Sequence, residues 1–198
     1  MKRTLVHILL FLFTGLALFS ACDDENFSTD SSLKLAFSYD TLRMDTVLAG
    51  IGTSTYQLKV YNRNKESLVI SSITLADAAN SGFRINVDGA KGNHFSDVEL
   101  RGKDSLLIFV EATLAPEDRD VPFFKKDSIV FITNGNWQDV KLQAYGQDFL
   151  SLRKKEITQD TLISSSRPIV IYDSLSIKEG ARLTLAAGTR LYFHGKSS

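Results

Sequence analysis

The chain contains one thiol, and its position indicates one kind of chemistry. Cys22 is the only cysteine among the 198 residues, so neither an internal disulfide nor a zinc site built from several cysteines is expected. A thiol at such a position can instead be alkylated to a thioether. Basic Lys2 and Arg3 open the chain, an apolar run follows from Leu5 to Leu18, and small residues lead up to Cys22. This order is typical of a secretory signal.

The residues around the thiol resemble a known processing site. Phe19-Ser20-Ala21-Cys22 resembles the lipobox of bacterial lipoproteins, in which small residues precede an invariant cysteine. The resemblance implies that residues 1–21 are a lipoprotein signal peptide and that Cys22 receives diacylglycerol and an N-acyl chain such as palmitate. Burial of acyl chains contributes about 0.8 kcal/mol per CH₂, and more than one chain gives stable anchoring. An ordinary signal peptide with a chance cysteine is the alternative.

An acidic run follows the cysteine directly. Asp23-Asp24-Glu25 resembles the surface-export signal of Bacteroidota lipoproteins. This resemblance implies a lipid-anchored protein of the outer membrane that faces the cell surface. A merely solvated connecting segment is the alternative. We predict that residues 22–32 form a flexible acidic and polar tether.

The composition of residues 22–198 limits the partners and the chemistry that the protein can have. Without residues 1–21, the chain keeps 177 residues, with 21 Lys and Arg against 23 Asp and Glu. That length suits one substantial domain or a domain and a fragment, and no basic excess indicates nucleic acid. The only remaining histidines are His94 and His194, and no HExxH, GxSxG or P-loop motif is present. We therefore predict a protein that is not an enzyme, with no catalytic residues, metal site or cofactor.

Six copies of one tripeptide offer hydroxyl groups for modification. In each copy Asp precedes Ser or Thr, and an aliphatic residue follows. Asp and hydroxyl side chains bond nearby backbone groups and suit the starts of strands, which is one explanation. The tripeptide also resembles the O-glycosylation acceptor of Bacteroidota, which implies glycans that solvate strand ends and hinder edge pairing. The candidate acceptors are Thr41, Thr46, Ser105, Ser128, Thr161 and Ser174.

Short segments of β character must position these residues. Apolar and polar residues alternate in several segments, for example at Tyr56, Leu58 and Val60, as half-buried strands require. Turn residues separate the segments, and no long amphipathic helix is predicted. Up to residue 149 the predicted strands are Leu33–Phe37, Thr41–Leu48, Thr55–Tyr61, Leu68–Leu75, Phe83–Val87, Phe95–Leu100, Ser105–Leu114, Ser128–Thr133 and Gln138–Tyr145.

Two of these segments, Ser105–Leu114 and Ser128–Thr133, are apolar on both faces and are predicted to be central strands. Asn134-Gly135 predicts a hairpin, because both residues accept positive φ. Trp137 follows this turn and is a candidate for stacking on a sugar ring, with core packing or a rim position as the alternative. Asp118-Arg119-Asp120 could be a calcium-binding or lyase-like acidic cluster, but a solvated loop is the simpler interpretation.

Between residues 55 and 149 a family resemblance emerges. Its motifs are a strand that ends at Asn62, the apolar run Leu68-Val69-Ile70, the segment 100–105, the strand and turn 129–134, and the closing Ala144-Tyr145-Gly146-Gln147. These resemble the immunoglobulin-like domains of the ASH/HYDIN type in secreted bacterial proteins. The resemblance implies a binding module or spacer without chemistry of its own. We predict an immunoglobulin-like antiparallel β-sandwich over residues 33–149.

The pattern changes after Phe149. The segment from Ser176 to Thr189, with Gly180-Ala181 and Gly188-Thr189 between strands, resembles the first coils of a right-handed parallel β-helix. A few coils cannot bury their own apolar faces, so we expect residues 150–198 to be a truncated part of a longer β-helix or to be covered by a partner. A β-hairpin extension packed on the sandwich is the alternative. The predicted strands here are Ile157–Ile163, Ile169–Ile171, Leu175–Ile177, Leu183–Leu185 and Arg190–Phe193.

The sequence is consistent with two functions. The first is a non-catalytic structural or interaction module that is anchored to the membrane by lipid and meets a glycan or an envelope protein. The second is a truncated polysaccharide-active, lyase-like protein or a carbohydrate-binding β-helix protein.

Overall fold

The computed structural model describes residues 26–198, and residues 1–25, with the predicted signal peptide and Cys22, lie outside the described part. In the described part every regular element is a strand, which confirms the all-β prediction. No helix long and apolar enough to cross a membrane occurs in that part. The strands are β1 (Ala36–Phe37), β2 (Thr41–Leu48), β3 (Tyr56–Tyr61), β4 (Leu68–Leu75), β5 (Phe83–Val87), β6 (Ala90–Gly92), β7 (His94–Leu100), β8 (Ser105–Ala112), β9 (Phe123–Thr133), β10 (Asn136–Gln147), β11 (Leu150–Ile157), β12 (Thr161–Ile163), β13 (Ile169–Ile177), β14 (Leu183–Leu185) and β15 (Leu191–Phe193).

Two five-stranded sheets form a sandwich from β1 to β10. The first sheet has the order β1-β3-β8-β5-β6, and the second has the order β2-β10-β9-β4-β7. Inward residues of both sheets join in one core, which includes the fully buried Leu58, Ile108 and Phe131. The chain crosses repeatedly between the sheets, as in immunoglobulin-like sandwiches. The predicted sandwich is confirmed, and β8 and β9 are the middle strands of their sheets, as predicted.

The second sheet departs from the antiparallel prediction at one edge. β2 runs parallel to β10, with Thr41 opposite Lys141 and Leu48 opposite Gln147, whereas all other pairs in the sandwich are antiparallel. The chain passes from β1 in the first sheet to β2 in the second without reversing direction. β2 therefore lies alongside β10 in the same sense.

Several strand boundaries also differ from the predictions, and β1, for example, begins only at Ala36. β9 begins at Phe123, before the predicted start at Ser128, because β10 continues far enough for Gly146 to pair with Phe123. β6 was not predicted, and it forms because the Asp88–Gly89 turn folds residues 90–92 back onto β5. The predicted β9–β10 hairpin is confirmed, and Asn134 and Gly135 both have positive φ, at 48° and 76°.

One end of the sandwich holds the beginning of the described chain. This N-proximal end consists of segment 27–32 and the turns 62–67, 101–104 and 134–135. Ser28 donates its N–H to the Ser67 carbonyl at 2.9 Å, and Asn134 donates its side-chain amide to the Asp30 carbonyl at 2.9 Å. Residues 28–31, at the end of the segment predicted to be a tether, are therefore hydrogen-bonded to the sandwich.

Close contact between two turns reinforces the N-proximal end. A Cβ added to Gly102 would lie 1.9 Å from the carbonyl oxygen of Lys65, so only glycine lets the two turns approach this closely. The buried Asn62 side chain donates to the carbonyls of Glu66 and Leu100 at 2.8 and 3.1 Å. These bonds hold the turns together.

The chain leaves the sandwich at the opposite end, here called the C-proximal end. It consists of the loops 49–55, 76–82 and 113–122 and the exit from β10 at residues 148–149. β10 runs from one end to the other over 12 residues, a length of about 40 Å. The beginning of the described chain and residues 150–198 therefore lie at opposite ends of the sandwich.

Residues 150–198 form two small sheets in which all strands pair in parallel. β11, β13 and β15 form a three-stranded sheet, and β12 pairs with β14. A hairpin, the alternative expectation, would have required antiparallel pairs. The predicted single strand Ile157–Ile163 is wrong, because a turn separates β11 from β12. Equivalent positions in successive strands, Lys154, Asp173 and Gly195, all have positive φ, at 44°, 66° and 62°.

Candidate interaction surfaces

An arginine joins the C-terminal segment to the sandwich. Arg167 donates to the carboxylates of Asp118 and Asp120 at 2.8 and 2.7 Å. The bond from Arg167 holds the pKa of Asp120 below its usual value, and the bonds to Asp118 and Asp120 raise the pKa of Arg167. Both carboxylates of the predicted calcium candidate are thus held by a cation. The solvated loop of the simpler interpretation does not account for the hydrogen bonds from Arg167.

A buried carboxylate shapes the loop that supplies these two aspartates. Asp148 is buried and accepts the backbone N–H groups of Glu117 and Arg119 at 3.2 and 2.6 Å. Glu117 also pairs with Lys125 at 2.6 Å, which lowers the pKa of Glu117. A cleft of about 530 Å³ lies at this junction, between the loop and Arg167. The arrangement is suited to fixing the joint between the sandwich and the C-terminal segment.

Stacked side chains line one face of the C-terminal segment. Arg153 lies 4.7 Å above the ring centre of Tyr172, and the rings of Tyr172 and His194 are 4.8 Å apart. Parallel register places these three residues at equivalent positions of β11, β13 and the end of β15. Arg153 also pairs with Asp173 at 3.2 Å, and an open cleft of about 440 Å³ adjoins the stack. Rings, a cation and a carboxylate together can bind a polar ligand with a flat face.

The outer face of the first sheet carries a cavity of about 390 Å³. Its floor includes Phe109, and its polar groups come from neighbouring strands. Thr55 donates its hydroxyl to Glu111 at 2.6 Å, which lowers the pKa of that carboxyl, and Arg84 lies 3.6 Å from the same carboxylate. The side-chain oxygen of Asn86 is buried and has no partner among the described residues.

Aromatic residues lie at both ends of the outer face of the second sheet. Trp137 is 62% exposed, and its cross-strand neighbour Ile132 is 38% exposed. At the other end Phe124 and Tyr145 stack with ring centres 5.1 Å apart. The exposure of Trp137 excludes burial in the core. Stacking of Trp137 on a sugar ring stays a prediction.

Three of the six Asp-Ser/Thr-aliphatic triplets lie where strands begin. Thr41, Ser105 and Thr161 are the first residues of β2, β8 and β12. Asp127 is different, because it is buried and accepts the Asp77 N–H and the Ser81 hydroxyl at 2.9 and 2.5 Å. The structural explanation of the motif therefore holds at these four copies. Glycosylation of Thr41, Thr46, Ser105, Ser128, Thr161 and Ser174 stays a prediction.

Within residues 26–198, no group of three or more His, Cys, Asp or Glu side chains could hold a metal ion. His94 and His194 lie apart, in β7 and after β15, and His94 bonds the Thr74 hydroxyl at 2.8 Å. The Arg167 link and the Arg153–Tyr172–His194 stack could not be predicted from the sequence. Neither has a local motif, since each depends on residues about twenty or more positions apart.

Comparison with known proteins finds distant structural similarity. No family model matches the chain, and no curated protein matches it. A crystal structure of a protein of unknown function from Porphyromonas gingivalis W83 is similar over 64% of this chain, at 17% identity and a TM-score of 0.42. The match spans half of that protein. The ASH/PapD-like domain 7 of human CEP192 is similar over 66% of this chain and 96% of its own length, at 10% identity and a TM-score of 0.38. The periplasmic chaperone SfaE is similar over 57% of each chain, at 16% identity and a TM-score of 0.36.

Proposed function

We propose that this protein is a lipid-anchored outer-membrane lipoprotein whose sandwich is a non-catalytic spacer between the membrane and the C-terminal segment. One observation carries the proposal. The chain begins its described course at one end of the sandwich and leaves it at the other, about 40 Å away along β10. An acylated Cys22, five positions before Phe27, would keep the N-proximal end at the membrane. The C-terminal segment would then stand away from the lipid.

Hydrogen bonds fix the adjoining chain segments to both ends of the sandwich, as a spacer requires. At the N-proximal end, turn amides and the Ser67 carbonyl hold residues 28–31 to the body. At the C-proximal end, Arg167 ties the C-terminal segment to Asp118 and Asp120. A spacer that is fixed at both ends sets a distance, whereas a flexible chain only limits it.

In this proposal the sandwich is a domain of the ASH/HYDIN type, and residues 150–198 are the first coils of a parallel β-helix. Parallel pairing, positive φ at the equivalent positions 154, 173 and 195, and the Arg153–Tyr172–His194 stack support the β-helix. The exposed edge strand β15 would receive a further coil or a partner, such as an envelope protein.

Acylation is tested on the full chain, expressed in a bacterium that processes lipoproteins. The expected result is a mature protein that begins at Cys22, carries acyl chains by mass spectrometry and sediments with membranes. Cys22→Ala should release the protein from the membrane fraction. Cys22→Ser is the matched control, since it keeps a polar atom at the site and should also release the protein. An unmodified, freely soluble wild-type protein would refute the anchor.

The outward position is tested by protease treatment of intact cells. A protease added to intact cells should digest the surface-exposed protein before lysis, and Asp23→Ala/Asp24→Ala/Glu25→Ala should protect the protein while acylation persists.

Mass spectrometry of the same preparation reports glycosylation. Thr46 and Ser105 are the most exposed candidate hydroxyl residues, so they should be occupied first. Ser128 follows the buried Asp127 and should stay unmodified if the enzyme must contact that carboxylate.

A carbohydrate-binding role is the second candidate, and the stack on the C-terminal segment favours it. Sugar rings pack on aromatic faces, and Asp173 and Arg153 can bond to hydroxyl or carboxylate groups beside Tyr172. Titration with a panel of neutral and acidic oligosaccharides tests this role. Tyr172→Ala should abolish binding, and Trp137→Ala, at the far end of the sandwich, should not. An absence of binding by the wild-type chain would end this candidate.

A further inference from the structure

We infer that the N-proximal end of the sandwich rests in the polar headgroup layer of the bilayer, with Trp137 as its principal contact. The inference rests on the proposed acylation of Cys22. It adds the orientation of the body on the membrane and assigns a role to the most exposed large aromatic residue of the second sheet.

The length of chain between Cys22 and Phe27 limits how far the sandwich can lie from the anchor. Five residue steps separate Cys22 from Phe27, and a fully extended chain spans at most about 17 Å over that distance. Phe27 bridges to Ser67, and Ser28 donates to the carbonyl of Ser67 at 2.9 Å. The headgroup layer itself is roughly 5–8 Å deep on each side of the hydrocarbon. The turns around Ser67 therefore cannot lie far from the bilayer surface.

Trp137 lies at this end of the sandwich. Its neighbour Asn136 donates its side-chain amide to the Ser31 carbonyl at 2.7 Å, which places Trp137 beside the segment that leads to the anchor. Trp137 and Ile132 are cross-strand neighbours and both are exposed. Tryptophan favours the membrane–water interface, because its ring is apolar and its N–H is a donor. An exposed Trp–Ile pair held against a bilayer would enter the headgroup layer.

The turns of the N-proximal end also carry charged side chains. Arg63, Lys65 and Lys103 are exposed on the two touching turns of the N-proximal end, and Lys103 donates to the Arg63 carbonyl at 2.5 Å. Cations at this position would meet lipid phosphates. Glu66, Asp104 and the acidic run 23–25 carry five negative charges against these three positive ones, so net charge does not by itself draw this end to lipid. Trp137 is therefore the residue that tests the contact.

Trp137 is the only tryptophan in the chain, so its emission reports this site without a label. The acylated full chain is reconstituted in vesicles of phosphatidylcholine and phosphatidylglycerol, and flotation shows that it is bound. We expect the Trp137 emission to shift to the blue on reconstitution. We also expect strong quenching by phospholipids that carry bromine on the first carbons of the acyl chains, and less quenching by bromine near the chain ends.

A matched variant moves the reporter along the same strand. Trp137→Phe/Tyr145→Trp places the only tryptophan at another exposed position of the same face of β10, eight residues and about 27 Å away. This tryptophan should emit as in water and should not be quenched by brominated lipid. Lys65→Gln/Lys103→Gln should reduce quenching at Trp137 more in vesicles with phosphatidylglycerol than in phosphatidylcholine alone.

The outcomes separate the inference from the function on which it rests. A wild-type protein that floats with vesicles but shows an unquenched, water-exposed Trp137 would overturn the inference and leave the anchor intact. Quenching at both positions would also overturn it, because the body would then lie flat on its second sheet. A protein that does not float would refute the anchor and the inference with it. A shift of Trp137 emission by soluble oligosaccharides, with no response to vesicles, would assign the residue to glycan binding instead.

Discussion

The sandwich and the C-terminal segment are both built from strands, but they bury their apolar residues very differently. Each sheet of the sandwich covers the inner face of the other, and residues such as Leu58, Ile108 and Phe131 lose all contact with water. In the C-terminal segment, Leu162 is 66% exposed and Phe193 is 52% exposed. The two sheets of the sandwich enclose a core between them, whereas the small parallel sheets of the C-terminal segment leave large apolar side chains exposed to water. The difference predicts unequal stability along the chain.

Truncation of one phenylalanine in each region should give the largest contrast. Phe131 is fully buried and packs on Phe37 with ring centres 4.9 Å apart, so Phe131→Ala should lower the free energy of unfolding by about 3–5 kcal/mol. Phe193→Ala removes the same ring from an exposed site and should cost about 0.5 kcal/mol or less. Urea unfolding monitored by circular dichroism measures both. Equal losses would mean that the C-terminal segment is covered as well as the sandwich.

A second contrast uses two aspartates of the repeated triplet. Asp127 is buried and accepts the Asp77 N–H and the Ser81 hydroxyl, so Asp127→Ala leaves buried donors without a partner and should cost about 3 kcal/mol. Asp160 is exposed and accepts only the Arg182 N–H among the bonds described, at 2.9 Å, so Asp160→Ala should cost about 0.5 kcal/mol. Thermal unfolding checks the pair. If Asp127→Ala were as mild as Asp160→Ala, Asp127 would not be a structural residue.

Hydrogen exchange sharpens the comparison without any substitution. Amides of the central strands β8 and β9 should exchange only through global unfolding, because they are bonded on both sides within a closed core. Amides of β12 and β14 belong to a two-stranded sheet and should exchange orders of magnitude faster through local opening. Mass spectrometry of peptides from an acid-quenched digest, taken after increasing exchange times, measures the two groups separately. Uniform protection would show that the chain opens as a single unit.

The smallest expected effect concerns the joint between the two regions. Arg167→Gln should leave the melting temperature of the sandwich nearly unchanged but speed proteolysis of residues 150–198, since it removes the bonds to Asp118 and Asp120. Arg167→Lys is the matched control and should restore part of the protection, because one cation remains.

The same joint should depend on pH. The bond from Arg167 lowers the pKa of Asp120 below its ordinary value of 3.8, so the folded state gains the full contribution of this pair above about pH 3.8. That contribution is lost as the pH falls through the lowered pKa. Proteolysis by an acid protease should therefore release residues 150–198 more readily below that range in the wild type, with little change in Arg167→Gln. Equal pH dependence in both would contradict the role of the pair.

Much of the sandwich was predictable because its signals are local. The Asn134-Gly135 turn requires two positive φ angles, and alternation in segments such as Tyr56–Tyr61 fixes which residues face inward. The parallel β2–β10 pair had no such signal, since it depends on how residues 38–40 carry the chain between sheets. The contacts of residues 28–31 could not be predicted, because their partners, Ser67, Asn134 and Asn136, are distant in sequence.

The interaction surfaces were less predictable than the fold. Trp137 could be singled out from its place after a turn, but only the structure shows its exposure and its position beside segment 27–32. Arg153, Tyr172 and His194 are each unremarkable in the sequence, and parallel register alone brings them into contact. Contacts between parallel strands depend on the length of the connections that join the strands, which the sequence pattern does not give to within one residue.

The parallel pairing of β2 with β10 has a mechanical consequence. The chain approaches β2 from the N-proximal end, and it leaves β10 at the C-proximal end. A force that pulls residues 27 and 150 apart would slide these two strands past each other. Their hydrogen bonds would then be loaded together in shear, instead of opening one after another like a zipper, so the sandwich should resist stretching along its long axis.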